Sequence, residues 1–79
     1  MSNQDKYVQS FVETFGISPE QTAGLQYQAI PAWDSVGHMG LIAALEGAFD
    51  IMMEMDDIID FSSFEKGKEI LSQKYSIEF

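Results

Sequence analysis

The chain has 79 residues, no cysteine and one histidine, which excludes a disulfide framework, a thiolate metal site and a multi-histidine metal cluster. Thirteen acidic residues face four lysines and no arginine, for a formal net charge of −9. That balance excludes nucleic acid and anionic membrane surfaces as partners; basic protein surfaces are its complement, although the same charge also serves solubility.

Residues 3 to 15 place Tyr7, Val8, Phe11, Val12 and Phe15 at helical spacing, with Asp5, Lys6, Gln9, Ser10 and Glu13 largely on the other side. The pattern predicts an amphipathic helix with one buried face, stopped by Gly16. Residues 16 to 34 hold Gly16, Pro19, Gly24 and Pro31, too many breakers for a continuous helix. Within them, Ser18-Pro19-Glu20-Gln21 predicts one short turn, with Ser18 as cap, Pro19 at the first helical position and Gln21 closing a capping box. Ile17, Leu25, Tyr27 and Ile30 are apolar anchors for this connection, whose length is often a sign of function.

A second helix is expected over residues 35 to 49, capped by Asp34, with Val36, Met39, Ile42, Ala43, Leu45 and Phe49 turned inward. Gly37, Gly40 and Gly47 each weaken it by about 1 kcal/mol relative to Ala, which points to close packing or to a partner's approach. Residues 54 to 61 suit one or two helical turns with their carboxylates near the N-terminal end. Ser62 to Glu65 reads as a capping box opening a last helix that buries Phe64, Ile70, Leu71 and Tyr75, with Lys66, Lys68 and Lys74 towards solvent. No strand-like alternation of useful length occurs, a frayed Ser76-Ile77-Glu78-Phe79 tail excepted, and there is no internal repeat. The expected fold class is therefore all-α: three main helices and one short helix, with a long first loop, in a single domain over residues 1 to 79. No run approaches membrane-spanning length and the polar start lacks an apolar signal core, so a cytoplasmic protein is expected, and so acidic a small domain is expected to be a monomer.

The stretch that carries chemistry is Trp33-Asp34-Ser35-Val36-Gly37-His38-Met39. Here a loop gives way to a helix whose first turn points out of the bundle, exposing the Ser35 hydroxyl. Unpaired backbone N–H groups and the helix dipole favour an anion at that position. With Asp34 capping the helix and fixing the serine's direction, the site suits a covalently attached phosphate.

Asp34-Ser35-Val36 resembles the Asp-Ser-Leu attachment motif of acyl and peptidyl carrier proteins. Further along, Ala43-Ala44-Leu45-Glu46-Gly47-Ala48-Phe49 is similar to the family's Ala-Leu-Glu-Glu-x-Phe. Asp56-Asp57-Ile58 falls where those carriers begin an acidic third helix, and Phe61-Ser62-Ser63-Phe64 resembles their Ile-Thr-Thr-Val. The register runs without a gap from Ile30 to Leu71. The resemblance implies a small acyl-carrier-like four-helix bundle that is not itself an enzyme. It implies that a phosphopantetheinyl transferase moves 4'-phosphopantetheine from coenzyme A onto Ser35. The arm's thiol would carry acyl groups as thioesters between acyl-activating, acyl-transfer and condensing enzymes. Val36, His38, Met39, Glu46, Asp56 and Asp57 are the residues it implies for partner docking. Ala32 stands where the fatty-acid pattern has Gly, and Gly37, His38 and Gly40 occupy positions often charged there. The string from Trp33 to Met39 looks more like stand-alone carriers of specialised pathways, such as surface polysaccharide or secondary-metabolite assembly.

Other readings bear on the same residues. A peptidyl or D-alanyl-type carrier would share Ser35 and load an amino acid; an unmodified acidic adaptor would use it only as a helix-start serine. Asp34, Ser35 and His38 together suggest a hydrolase, but a nucleophile elbow needs a strand and a large sheet that this pattern lacks. His38 is expected either at a partner interface or as a partly buried structural histidine. Trp33 is expected to cover the core beside the loop, and Met39, Met52, Met53 and Met55 to be plain core rather than an acyl pocket. Asp56, Asp57 and Asp60 lack calcium-loop spacing.

Overall fold

A computed structural model describes residues 2–79, and among them every regular element is helical. Helix α1, Asn3–Phe15, begins at Ser2, whose Oγ accepts from the Asp5 N–H at 3.1 Å. The Asp5 carboxylate accepts from the Ser2 N–H in return, completing a capping box. The helix ends as expected at Gly16, left-handed at φ +66°, whose N–H donates to the Val12 carbonyl. Tyr7, Phe11 and Phe15, spaced by four, form its buried face.

The connection to the next helix contains the predicted turn, a 3-10 helix at Pro19–Thr22, with the Ser18 N–H bonded to the Gln21 side chain at 2.9 Å. Its second half is tied across the molecule: the Phe64 N–H donates to the Leu25 carbonyl and the Tyr27 N–H to the Ser62 carbonyl. Residues 62 and 63 are thereby held extended. Helix α4, Phe64–Lys74, accordingly starts one residue later than the sequence pattern suggests. Ser63, not Ser62, caps it, accepting from the Lys66 N–H at 3.0 Å.

Helix α2, Ser35–Phe49, and helix α3, Met55–Asp60, have the expected extents to within a residue or two. The inward face of α2 differs from expectation. Leu41, Ile42 and Leu45 are buried, whereas Val36, Met39 and Ala43 are exposed and Phe49 is only half-buried. Glu46 is the only charged residue among those of α2, so apolar side chains surround the helix and its sequence does not mark which stripe turns in. Gly37 packs against the connection so tightly that a Cβ there would collide with the Ala32 carbonyl, and one at Gly67 would collide with Phe61 and the Tyr7 hydroxyl.

The four helices enclose one core dominated by aromatic rings. Tyr7, Phe11, Trp33, Phe61 and Phe64 meet largely edge-on or tilted, the favoured geometry for aromatic pairs. The Tyr7 hydroxyl satisfies itself on the Phe64 carbonyl at 2.6 Å, tying α1 to the start of α4. Burial, chiefly, and the nearby Glu65 charge push its ionisation far above the ordinary tyrosine range. The tail is not frayed: Ile77 bonds back to Leu71, Asn3 bonds to the Glu78 carbonyl, and Phe79 packs against Tyr7 and Phe49. Among the described residues no helix is long and apolar enough to cross a membrane.

Candidate functional site

Ser35 is the first residue of α2 and is exposed. Asp34 holds the turn rigid, its carboxylate accepting from the Gly37 N–H at 2.8 Å while its carbonyl accepts from His38. The N–H groups of the two residues before Gly37 are left for solvent or for an anion, as the first turn of a helix requires. Beside the serine lies the Tyr27 hydroxyl, 3.3 Å from Ser35 Oγ. Tyr27 arrives there because its backbone N–H is fixed on Ser62.

Trp33 and His38 build the layer beneath. The indole N–H of Trp33 donates to His38 Nδ1 at 2.9 Å, and His38 Nε2 lies 2.8 Å from the Ile58 carbonyl. An indole can only donate, so Nδ1 is unprotonated, and the ring proton sits on Nε2, donated to Ile58. One neutral imidazole thus joins the loop, α2 and α3. Both its nitrogens are spent inside the fold, which matches the structural alternative for His38 and leaves no nitrogen to activate Ser35. Trp33 is fully buried and covers the core, as expected.

A groove of about 380 Å³ runs beside Ser35 between α2 and α3. Met39 stands on its α2 side and Met55, Ile58 and Ile59 on its α3 side, with the buried Phe61 and the half-buried His38 at its base. Three of these apolar side chains are unusually open: Met39 is 54% exposed, Met55 69% and Ile59 71%. Of the four methionines expected in the core, only Met53 is there; Met39, Met52 and Met55 face outward.

The acidic residues expected to dock partners divide. Asp56 is exposed in the first turn of α3, and Val36 is 81% exposed one residue past the serine. Glu46 instead accepts from the Met53 N–H at 2.9 Å and braces the α2–α3 connection. Asp57 is turned inward, only 3% exposed, because its carboxylate receives the Lys74 ammonium at 2.6 Å and the Tyr75 hydroxyl at 2.7 Å. Those two donors, Lys74 first, hold the Asp57 carboxyl below its ordinary range, and the same contact raises Lys74. Asp57 therefore fastens α3 to α4 and presents no charge to a docking protein. Sequence reasoning missed Tyr27, Ile58, Ile59 and Phe61 as neighbours of Ser35. Ile59 follows Met55 by four and marks a shared face of α3, but nothing local signals Tyr27, which a distant backbone bond delivers.

Charge is segregated along the chain. Between residues 34 and 60 stand Asp34, Glu46, Asp50, Glu54, Asp56, Asp57 and Asp60 without a single lysine; Lys6 lies on α1, and Lys66, Lys68 and Lys74 lie on α4. No group of side chains suited to a metal ion occurs among the described residues. Comparison with known proteins finds no matching family model, no matching curated protein and no matching solved structure.

Proposed function

We propose that the chain is a carrier protein: Ser35 receives 4'-phosphopantetheine, and the thiol of that arm holds acyl groups as thioesters for successive biosynthetic enzymes. The observation that carries this reading is the position of Ser35, an exposed hydroxyl on the capped first turn of a helix, opening beside an apolar groove. In the loading step the serine Oγ–P bond forms as the pyrophosphate link of coenzyme A breaks. The nucleotide half leaves, and the hydroxyl proton passes to a base of the transferase. The phosphodiester then lies against the N-terminal end of α2, which favours negative charge, with the Tyr27 hydroxyl able to donate to it. A carrier needs no catalytic group of its own, and none is assigned. The chain supplies a fixed anchor, and the flexible arm raises the effective concentration of the cargo at each partner.

In this reading the fold is the small four-helix bundle of the acyl carriers, working as a cytoplasmic monomer with a phosphopantetheinyl transferase, acyl-transfer and condensing enzymes as partners. The exposed Val36, Met39, Met55 and Ile59 would form the centre of the docking face, with Asp56 as its charged neighbour.

Intact mass spectrometry tests this before and after incubation with coenzyme A, magnesium and a broad phosphopantetheinyl transferase. The expected result is the gain of one phosphopantetheine mapped to Ser35, lost in Ser35→Ala. Folded, unmodified protein that gains no mass would leave an acidic interaction adaptor as the better reading.

A further inference from the structure

The groove beside Ser35 ends on side chains that have no room to move. Trp33 is fully buried and Phe61 is 1% exposed. The His38 ring lies parallel to the indole, 15° between planes, and edge-on to Phe61 with centroids 5.9 Å apart. Swinging His38 aside breaks its bonds to the Trp33 indole and the Ile58 carbonyl together and takes from the buried indole the acceptor it has. Behind this layer Phe11 contacts both Trp33 and Phe61, and Leu41, Leu45 and Leu71 fill the rest of the interior with no exposed surface.

We infer that Trp33, His38 and Phe61 form a partition that keeps the carried group out of the bundle interior and restricts the cargo to short acyl or aminoacyl groups held at the surface. The inference rests on the carrier reading and specifies its substrate class. A long alkyl chain gains stability only where it loses contact with water, in proportion to the apolar area covered. Met39, Met55 and Ile59, themselves largely exposed, offer one open side, and the groove is at the small end of ligand-sized cavities. A short group sacrifices little by remaining there; a long one has no covered path to follow.

The test uses the 79-residue chain loaded on Ser35 from acetyl-, hexanoyl- and dodecanoyl-coenzyme A by a broad transferase, with intact mass confirming each loading. Melting temperature and NMR shifts of methyl groups and the indole N–H are then compared across the series. The expected result is the same melting temperature for all three to within about 1 °C, with shifts confined to Met39, Met55 and Ile59. A melting temperature that climbs with chain length, accompanied by shifts at Leu45 and Leu71, would overturn the inference while leaving the carrier reading intact. Absence of any mass gain would overturn the carrier reading and the inference with it. In His38→Ala the partition loses its middle member, and the dodecanoyl form is expected to shift Leu45 and Leu71 where the acetyl form does not. A folded His38→Ala protein that still shows no chain-length dependence removes His38 from the partition; the wild-type series is decisive whether or not the variant folds.

Discussion

Single residues with similar letters do different work in this chain. Ser35 and Asp57 both belong to the stretches that the sequence marks, yet one faces solvent and the other is a structural tie. Replacing Ser35 with Ala is expected to abolish loading while changing stability by no more than about 0.5 kcal/mol, as an exposed side chain does, measured by mass spectrometry and urea unfolding. Asp57→Asn is expected to lower the melting temperature by roughly 5–10 °C, since it removes the charge that Lys74 and Tyr75 answer. The pH dependence follows from the same contact. The Asp57 carboxyl is depressed in the fold, so its stabilisation is complete above the ordinary carboxylate range and is lost as pH falls through its lowered value. Lys74 is raised, so its share is complete below the ordinary lysine range and is lost as pH climbs through its raised value. Unfolding free energy against pH should therefore show a plateau with two falling arms, and Asp57→Asn should flatten both; unchanged arms would assign them elsewhere. Ser35 was legible because a cap, a hydroxyl and a helix start are local features. Which of Asp56 and Asp57 turns inward was not, because Lys74 and Tyr75, far along the chain, decide it.

At the scale of elements, three glycines of α2 that look equivalent in sequence are not equivalent in space. A Cβ at Gly37 would strike the Ala32 carbonyl, whereas one at Gly47 would meet open space. Gly37→Ala is accordingly expected to destabilise by about 1–3 kcal/mol, the usual range for overpacking. Gly47→Ala should stabilise by up to about 1 kcal/mol through helix propensity. Chemical denaturation of the two variants checks the opposite signs. Helix positions were legible here, because apolar spacing, a cap or a breaker marks them: Gly16 after α1, Asp34 before α2. The rotation of α2 was not, since a nearly uncharged helix has no polar face to read. The cap of α4 shifted from Ser62 to Ser63 because the backbone of the first connection pairs with residues 62 to 64.

For the molecule as a whole, the sign of the charge was legible from composition, and its placement emerged only with the fold. Residues 34 to 60, which carry Ser35, are acidic without lysine, Lys74 of α4 reaching across to the inward Asp57, and they expose Val36, Met39, Met55 and Ile59. Asp56→Lys is therefore expected to slow modification by a basic transferase by roughly two- to fivefold at low salt and little at high salt, with rates followed by mass. Salt-independent slowing would place the effect in the fold instead. Asp57 is unsuited to that experiment, since reversing an inward carboxylate disturbs the α3–α4 tie before any partner arrives.

The bond between Trp33 and His38 has an optical consequence. Trp33 is the only tryptophan, so all indole fluorescence comes from the layer directly under the candidate site. In the folded chain that indole is fully buried away from water, so its emission lies to the blue of that from the unfolded chain. Opening of this layer breaks the bond to His38 and admits water to the indole, which reddens the emission. The chain thus carries its own intrinsic lamp, able to report in unlabelled protein when the contact between loop, α2 and α3 opens.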